Sequence, residues 1–167
     1  MRLTHTRFTV TAGVIIFNDQ KQVLLLKHRF RAGSGWGLPG GFLERGEQPI
    51  DAMRRELREE IGLEVDDVEV FEARSFKKPK QVEVLFRARA NANVKPLTME
   101  VERAEWFAID SLPEGLPRDQ RRYVERAEKT ESFDVCCAPK ISGETHGRAD
   151  SIPRCSNADS DAHRSVS

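Results

Sequence analysis

The sequence is short of almost everything that would tie it to a membrane or to an oxidising compartment. Its longest apolar runs, VIIF at residues 14–17 and VLLL at residues 23–26, fall far below the roughly 20 residues a membrane-spanning helix needs. The opening MRLTHTRFTV has no apolar segment of the kind that marks a secretory signal. Net charge is absent as well: 27 Lys and Arg stand against 27 Asp and Glu. No overall field therefore draws the chain to nucleic acid or to an anionic membrane surface, and only a local basic patch could do so. There are three cysteines, Cys136, Cys137 and Cys155, all near the C-terminus. An odd number with two adjacent does not resemble a disulfide framework. A cytoplasmic protein without a membrane partner is the expectation.

What remains suits one domain. A chain of 167 residues is long enough for a single packed core and short for two. Its hydrophobic share of 38% is low for its length, which points to a non-globular segment diluting the rest. Residues 130–167 fit that role. They are rich in Ser, Asp, Gly and Arg and lack apolar periodicity, the composition of a disordered tail. Cys136, Cys137, His146, Cys155 and His163 lie there, but none of their spacings matches a usual zinc pattern. The expected boundaries are a folded domain at residues 1–129 and a tail at 130–167.

Within the domain, FTVTAGVIIF (8–17) and QVLLLKH (22–28) have the β-branched and apolar content of neighbouring strands across the turn NDQK. The glycine-rich stretch from Arg29 to Gly46 reads as loop. A helix is predicted from about Gln48 to Ile61, with Pro49 in its first turn and Gly62 just past its end. Three more strands follow in VDDVEVFEAR, QVEVLFRARA and MEVERAEWFAI, and LPRDQRRYVERAEK closes as an amphipathic helix. This order makes an α/β domain with helices packed on a sheet.

The central helix holds an unusual cluster. At about 100° per residue, Ile50, Met53, Leu57 and Ile61 share one face, and Glu56, Glu59 and Glu60 form a stripe along its edge. Like charges at this spacing repel by a few tenths of a kcal/mol, and the C-terminal half of a helix is the wrong end for them. Local stability does not explain the stripe. It is either a solvated acidic edge paired with Arg54, Arg55 and Arg58, or a site for Mg²⁺ or Mn²⁺, which take hard oxygen ligands.

The surrounding residues decide between these. Residues 41–63 fit G-x₅-E-x₇-R-E-U-x-E-E-x-G-U, where U is a bulky aliphatic: Gly41, Glu47, Arg55, Glu56, Leu57, Glu59, Glu60, Gly62 and Leu63 meet every fixed position. The sequence thus resembles the Nudix hydrolases. The likeness is most specific over the box, extends loosely over residues 6–129, and does not reach the tail. It implies an α/β/α sandwich with a mixed β-sheet and metal-dependent hydrolysis of a nucleoside diphosphate linked to another group. It also implies that Glu56 and Glu60 hold Mg²⁺ (or Mn²⁺), with Glu59 a further ligand or a group that orients water. The Gly40 carbonyl joins them, and Glu47 pairs with Arg55 to hold the loop. A further acid is expected before the last strand. Glu100 fits that context better than Glu102 or Glu105.

Substrate contacts are less sharply marked. Trp36 or Phe30 could stack on a base, and Lys77 and Lys78, with Lys80, could meet phosphates; packing aromatics and a solvated turn are the alternatives. GWGLPGGFLERGE resembles relatives that act on ADP-ribose or nucleotide sugars, and with small changes those that remove oxidised nucleoside triphosphates. A nucleotide-sensing module without catalysis is a third reading, but such a module has no need of the complete carboxylate set. A small-molecule nucleotide is the expected partner, with no distinct nucleic-acid signal. The family includes homodimers, though nothing in the sequence fixes an interface.

Overall fold

In the computed structural model, which describes residues 7–30 and 33–131, strand β1 (Thr9–Phe17) shows how two cores arise from one sheet. Its side chains alternate: Ala12, Val14 and Ile16 enter one apolar cluster, Ile15 and Phe17 the other. Strand β2 (Gln22–His28) repeats the division, with Leu24 and Leu26 on one side and Val23 and Leu25 on the other. A strand covered on both faces needs no polar alternation, so it reads as a continuous apolar run. This accounts for VIIF and VLLL.

The first cluster is closed by helix α1 (Pro49–Ile61) through Ala52, Met53, Leu57 and Ile61. The second is closed by helix α2 (Arg118–Glu131) through Tyr123, Val124 and Ala127. The result is the expected α/β/α layering. α1 begins on Pro49 and stops at Gly62, which takes the left-handed conformation and returns its N–H to the Arg58 carbonyl.

The sheet is mixed. β1 runs parallel to β6 (Gln81–Arg89), which pairs antiparallel with β5 (Asp66–Phe76). β2 carries β7 (Val101–Ala108) along its other edge, antiparallel from Gln22↔Ala108 to His28↔Val101. β1 and β2, expected as neighbouring strands, share one antiparallel partnership, Phe17↔Val23. The stretch read as loop needs correction. It contains β3 (Trp36–Gly37), paired with Leu26 and Lys27, and β4 (Gly40–Phe42), paired with Thr11 to Gly13. Strands of two and three residues carry no period to read, and both are formed by long-range pairing alone.

α2 continues to Glu131, slightly beyond the expected domain boundary. Residues 132–167, with the cysteines and histidines weighed for a metal, lie outside the described residues. No helix among the described residues is long and apolar enough to cross a membrane.

Leu57 is fully buried at the centre of the α1 layer. Leu57→Ala should lower the unfolding free energy by about 3 kcal/mol, measured as a shift of the urea midpoint at unchanged slope.

Candidate active site

Arg55 gathers the loop and the acidic stripe onto one guanidinium. Its Nε and one terminal nitrogen donate to the two oxygens of Glu47, at 3.0 and 3.1 Å. The other terminal nitrogen donates to Glu56 at 3.0 Å and reaches Glu59 at 3.4 Å. The Phe42 carbonyl accepts a further bond at 3.1 Å. Glu47 in turn accepts the Glu44 N–H at 2.9 Å. A planar fork with five donors can serve this many acceptors at once, which an ammonium cannot. Hydrogen bonds from Arg55 and from the Glu44 backbone hold the Glu47 carboxyl below its ordinary range. The same contacts raise the Arg55 pKa, chiefly through Glu47 and then Glu56.

Glu60 lies at the other edge of the stripe and is nearly buried, at 8% exposure. His28, the last residue of β2, stands with Nδ1 3.7 Å from the Glu60 carboxylate. The backbone carbonyl of Glu60 accepts the Leu97 N–H, so this residue also anchors the segment leading to β7. Glu59 faces solvent, with its side chain 58% exposed.

The glycines explain how a strand can lie this close. At Gly40, φ is 140°, and a Cβ would stand 2.2 Å from the Ala12 carbonyl oxygen. At Gly41 a Cβ would stand 2.1 Å from Oε1 of Glu56. Any side chain at 41 would displace that carboxylate. The donor set is therefore one of hard oxygens laid over bare backbone, which suits a small divalent cation. Among the described residues no three acidic, histidine or cysteine side chains yet converge as an ion's cage. Arg55 occupies the space among Glu47, Glu56 and Glu59 instead.

On the other side of β4 opens a cavity of about 310 Å³, a volume suited to a small ligand. Its floor is Thr11 to Gly13 of β1, and its rim includes Gly40, Gly41 and Phe42. Gln81, Glu83, Gln120 and Tyr123 supply the polar lining. Gln81 donates to the Thr11 hydroxyl at 2.7 Å, and Gln120 accepts the Leu38 N–H at 3.0 Å. Arg74 bonds Glu83, Asp119 and the Tyr123 hydroxyl, and lies 4.3 Å over the Tyr123 ring. These contacts fix the cavity wall before any ligand arrives.

The remaining residues singled out in the sequence fall elsewhere. Trp36 packs edge-on against Phe107, centroids 5.0 Å apart, because β3 turns it toward the α2 layer. It does not line the cavity, and neither does Phe30, which is 78% exposed. Lys77 and Lys78 are exposed on the β5–β6 turn. Glu100 is exposed just before β7, and its carbonyl accepts the Arg29 N–H. His28, Phe42, Gln81, Glu83, Gln120 and Tyr123 escaped sequence reasoning. Each is ordinary in its own segment and acquires its place only through strand pairing or the approach of α2.

The clamp has a pH signature. Because the Glu47 pKa is lowered from 4.5, its contribution to stability is complete above about pH 5 and is lost as the pH falls through the folded-state value. Acid unfolding followed by circular dichroism should show this decline in the parent chain. Glu47→Gln should unfold more easily at pH 7 and show a weaker dependence below pH 5; an unchanged acid profile would count against the clamp.

Comparison with known proteins agrees with this geometry. The chain is 34% identical over 124 residues to an RNA pyrophosphohydrolase of Ruthia magnifica, covering 62% of this chain and 68% of that protein. It is 32% identical over 105 residues to an NAD-capped RNA hydrolase NudC of Vibrio atlanticus, covering 62% of this chain. That match spans only 39% of the NudC length. Among solved structures, a MutT Nudix hydrolase from Burkholderia pseudomallei superposes with a TM-score of 0.64 at 27% identity, covering 72% of this chain and 98% of the other. Residues 7–127 match the NUDIX domain, and with the box, the layered fold and the clamped acidic helix in one place, the chain belongs to the Nudix hydrolase family.

Proposed function

We propose that the protein is a divalent-metal-dependent pyrophosphohydrolase. It cleaves a nucleoside diphosphate linked to another moiety, of the ADP-ribose or nucleotide-sugar type, into a nucleoside monophosphate and a phosphorylated remainder. One observation carries the reading: Gly40 and Gly41 form the rim of a ligand-sized cavity on one side, while Glu56 lies against Gly41 on the other. A nucleoside seated in the cavity would extend its phosphates over bare backbone toward the acidic stripe. Two relatives are named for hydrolytic chemistry on RNA, which supports an anhydride substrate without selecting the leaving group.

The residues present fit a hard cation. Glu56, Glu60, Glu59 and the Gly40 carbonyl would hold it, and Mg²⁺ or Mn²⁺ bound there would oppose the phosphoryl charge and acidify water. Arg55 and Glu47 keep the loop and the stripe in register. Burial of the Glu60 carboxylate beside His28 fixes that side chain, at a desolvation cost that a cation would offset. Glu59, the most exposed of the three, is placed to orient water. In the reaction the oxygen of water bonds to one phosphorus. The bridging P–O bond breaks, the bridging oxygen leaves with the other phosphoryl group, and the proton from water passes to solvent. Glu100 is a further acid of the site under this reading, entering from the segment before β7.

Incubation with Mg²⁺ and a panel of ADP-ribose, nucleotide sugars, dinucleoside polyphosphates and oxidised triphosphates tests this directly. Turnover should be highest with a diphosphate-linked substrate and vanish on chelation. Absence of turnover on every substrate would overturn the proposal. Glu60→Gln should reduce metal-dependent kcat by about a hundredfold or more, a loss on the scale expected for a charge-stabilising group. Gly41→Ala should reduce turnover while leaving the unfolding free energy within about 1 kcal/mol of the parent, because its added methyl meets a movable carboxylate rather than backbone.

A further inference from the structure

Strand β2 turns alternate residues toward the α1 layer, first Leu24 and then Leu26. The next position in that row is His28, which meets Glu60 of α1 with Nδ1 3.7 Å from Oε1, both side chains largely buried. The backbones behind this pair are fixed from outside it. His28 donates its N–H to the Gly35 carbonyl at 2.9 Å. Gly35, at φ 79°, lies so near that a Cβ there would stand 2.5 Å from the His28 oxygen. Toward β7 the ladder slips by one residue, so that Lys27 faces Arg103 while His28 faces Val101. A bulge of this kind re-aims the side chain beside it. On α1, the Glu60 carbonyl accepts the Leu97 N–H at 2.7 Å.

An apolar residue at 28 would continue the row of Leu24 and Leu26 without burying a polar ring. A bare ion pair with Glu60 is the simplest reason for a histidine here, but it does not account for the spacing. A charge-assisted N–H···O bond closes to about 2.7–2.9 Å, and 3.7 Å is wider. Two ligands at neighbouring corners of an octahedral ion, each about 2.1 Å from it, stand about 3 Å apart. Closure by less than about 1 Å would therefore bring both donors onto one ion. A site made only for Mg²⁺ has no use for an imidazole, since that ion takes carboxylates, carbonyls and water. Imidazole suits the first-row transition ions.

We propose that His28 is a nitrogen ligand of the ion held by Glu60, and that the site consequently prefers a transition ion to Mg²⁺. This rests on the proposed function, which puts a divalent cation at Glu56, Glu59 and Glu60, and it specifies the chemistry of that cation. One imidazole joins the carboxylates and the Gly40 carbonyl. Affinity then rises with the strength of nitrogen binding, Co²⁺ above Mn²⁺. Mg²⁺ binds through the oxygens and leaves His28 outside its shell.

The test uses the full chain and two readouts that do not depend on turnover. Co²⁺, Mn²⁺ and Mg²⁺ are titrated by calorimetry into the parent, His28→Gln and Glu60→Gln, and the binding event lost in Glu60→Gln is the one compared. The Mn²⁺ form is also examined by electron spin-echo envelope modulation, which registers a directly coordinated imidazole ¹⁴N. The parent should show that coupling, and both variants should lose it. His28→Gln should weaken Co²⁺ binding about tenfold or more while changing Mg²⁺ binding less than about twofold. An equal loss for all three ions would make His28 a group that merely orients Glu60, and overturns the ligand assignment. A ¹⁴N coupling that survives Glu60→Gln arises from another histidine and overturns it too. Should His28→Gln fail to fold, the parent and Glu60→Gln spectra decide. If the parent binds none of the three ions, the cation site of the proposed function falls; if it binds them with no ¹⁴N coupling, only the role of His28 falls.

Discussion

Five donors on one arginine organise this molecule's working face. Arg55 reaches back to Glu47 in the loop, sideways to Glu56 and Glu59 on its own helix, and across to the Phe42 carbonyl of β4. Removing it would leave three carboxylates with no counter-charge and a glycine-rich loop with no tether. The interaction is only partly desolvated, with the Arg55 side chain 21% exposed, so its value lies less in raw stability than in geometry. A bidentate pair fixes direction as well as distance. The same guanidinium places positive charge beside Glu47, Glu56 and Glu59, which offsets the repulsion among these carboxylates.

That tether works because the sheet beneath it is rigid. β1 and β2 are covered on both faces, and their side chains divide between two apolar clusters. β1 also bears β6 on one edge and β4 on the other. The three-residue β4 could not hold a position by itself. Its pairing with Thr11 to Gly13 places Gly40 and Gly41 between the acidic helix and the cavity. Here the backbone approaches its neighbours more closely than any Cβ would permit. Site and cavity sit on opposite sides of that short strand, and a substrate must pass over it to use both.

The sequence-level expectations divide along the same line. The strands at residues 9–17, 22–28, 66–76, 81–89 and 101–108, and both helices, follow from local apolar patterning and from Pro49 and Gly62, which punctuate α1. The box residues are identifiable because their spacing is a property of one contiguous loop and helix. β3 and β4 are not, because two or three residues have no period and are strands only by virtue of their partners. For Trp36, the sequence leaves stacking on a base and plain packing equally open; its pairing in β3 directs the ring onto Phe107.

What the sequence by itself determined, then, is the helix with its acidic stripe, the glycines beside it and the family they define. These depend on neighbours within about twenty positions, where helical periodicity fixes direction. Only the tertiary structure brought Glu60 against His28 from 32 positions away, set Gln120 and Tyr123 of α2 over β1, and joined Phe8 to Phe42 along one groove. Such contacts are set by how the layers close on their apolar faces, and no local pattern encodes the register of that closure.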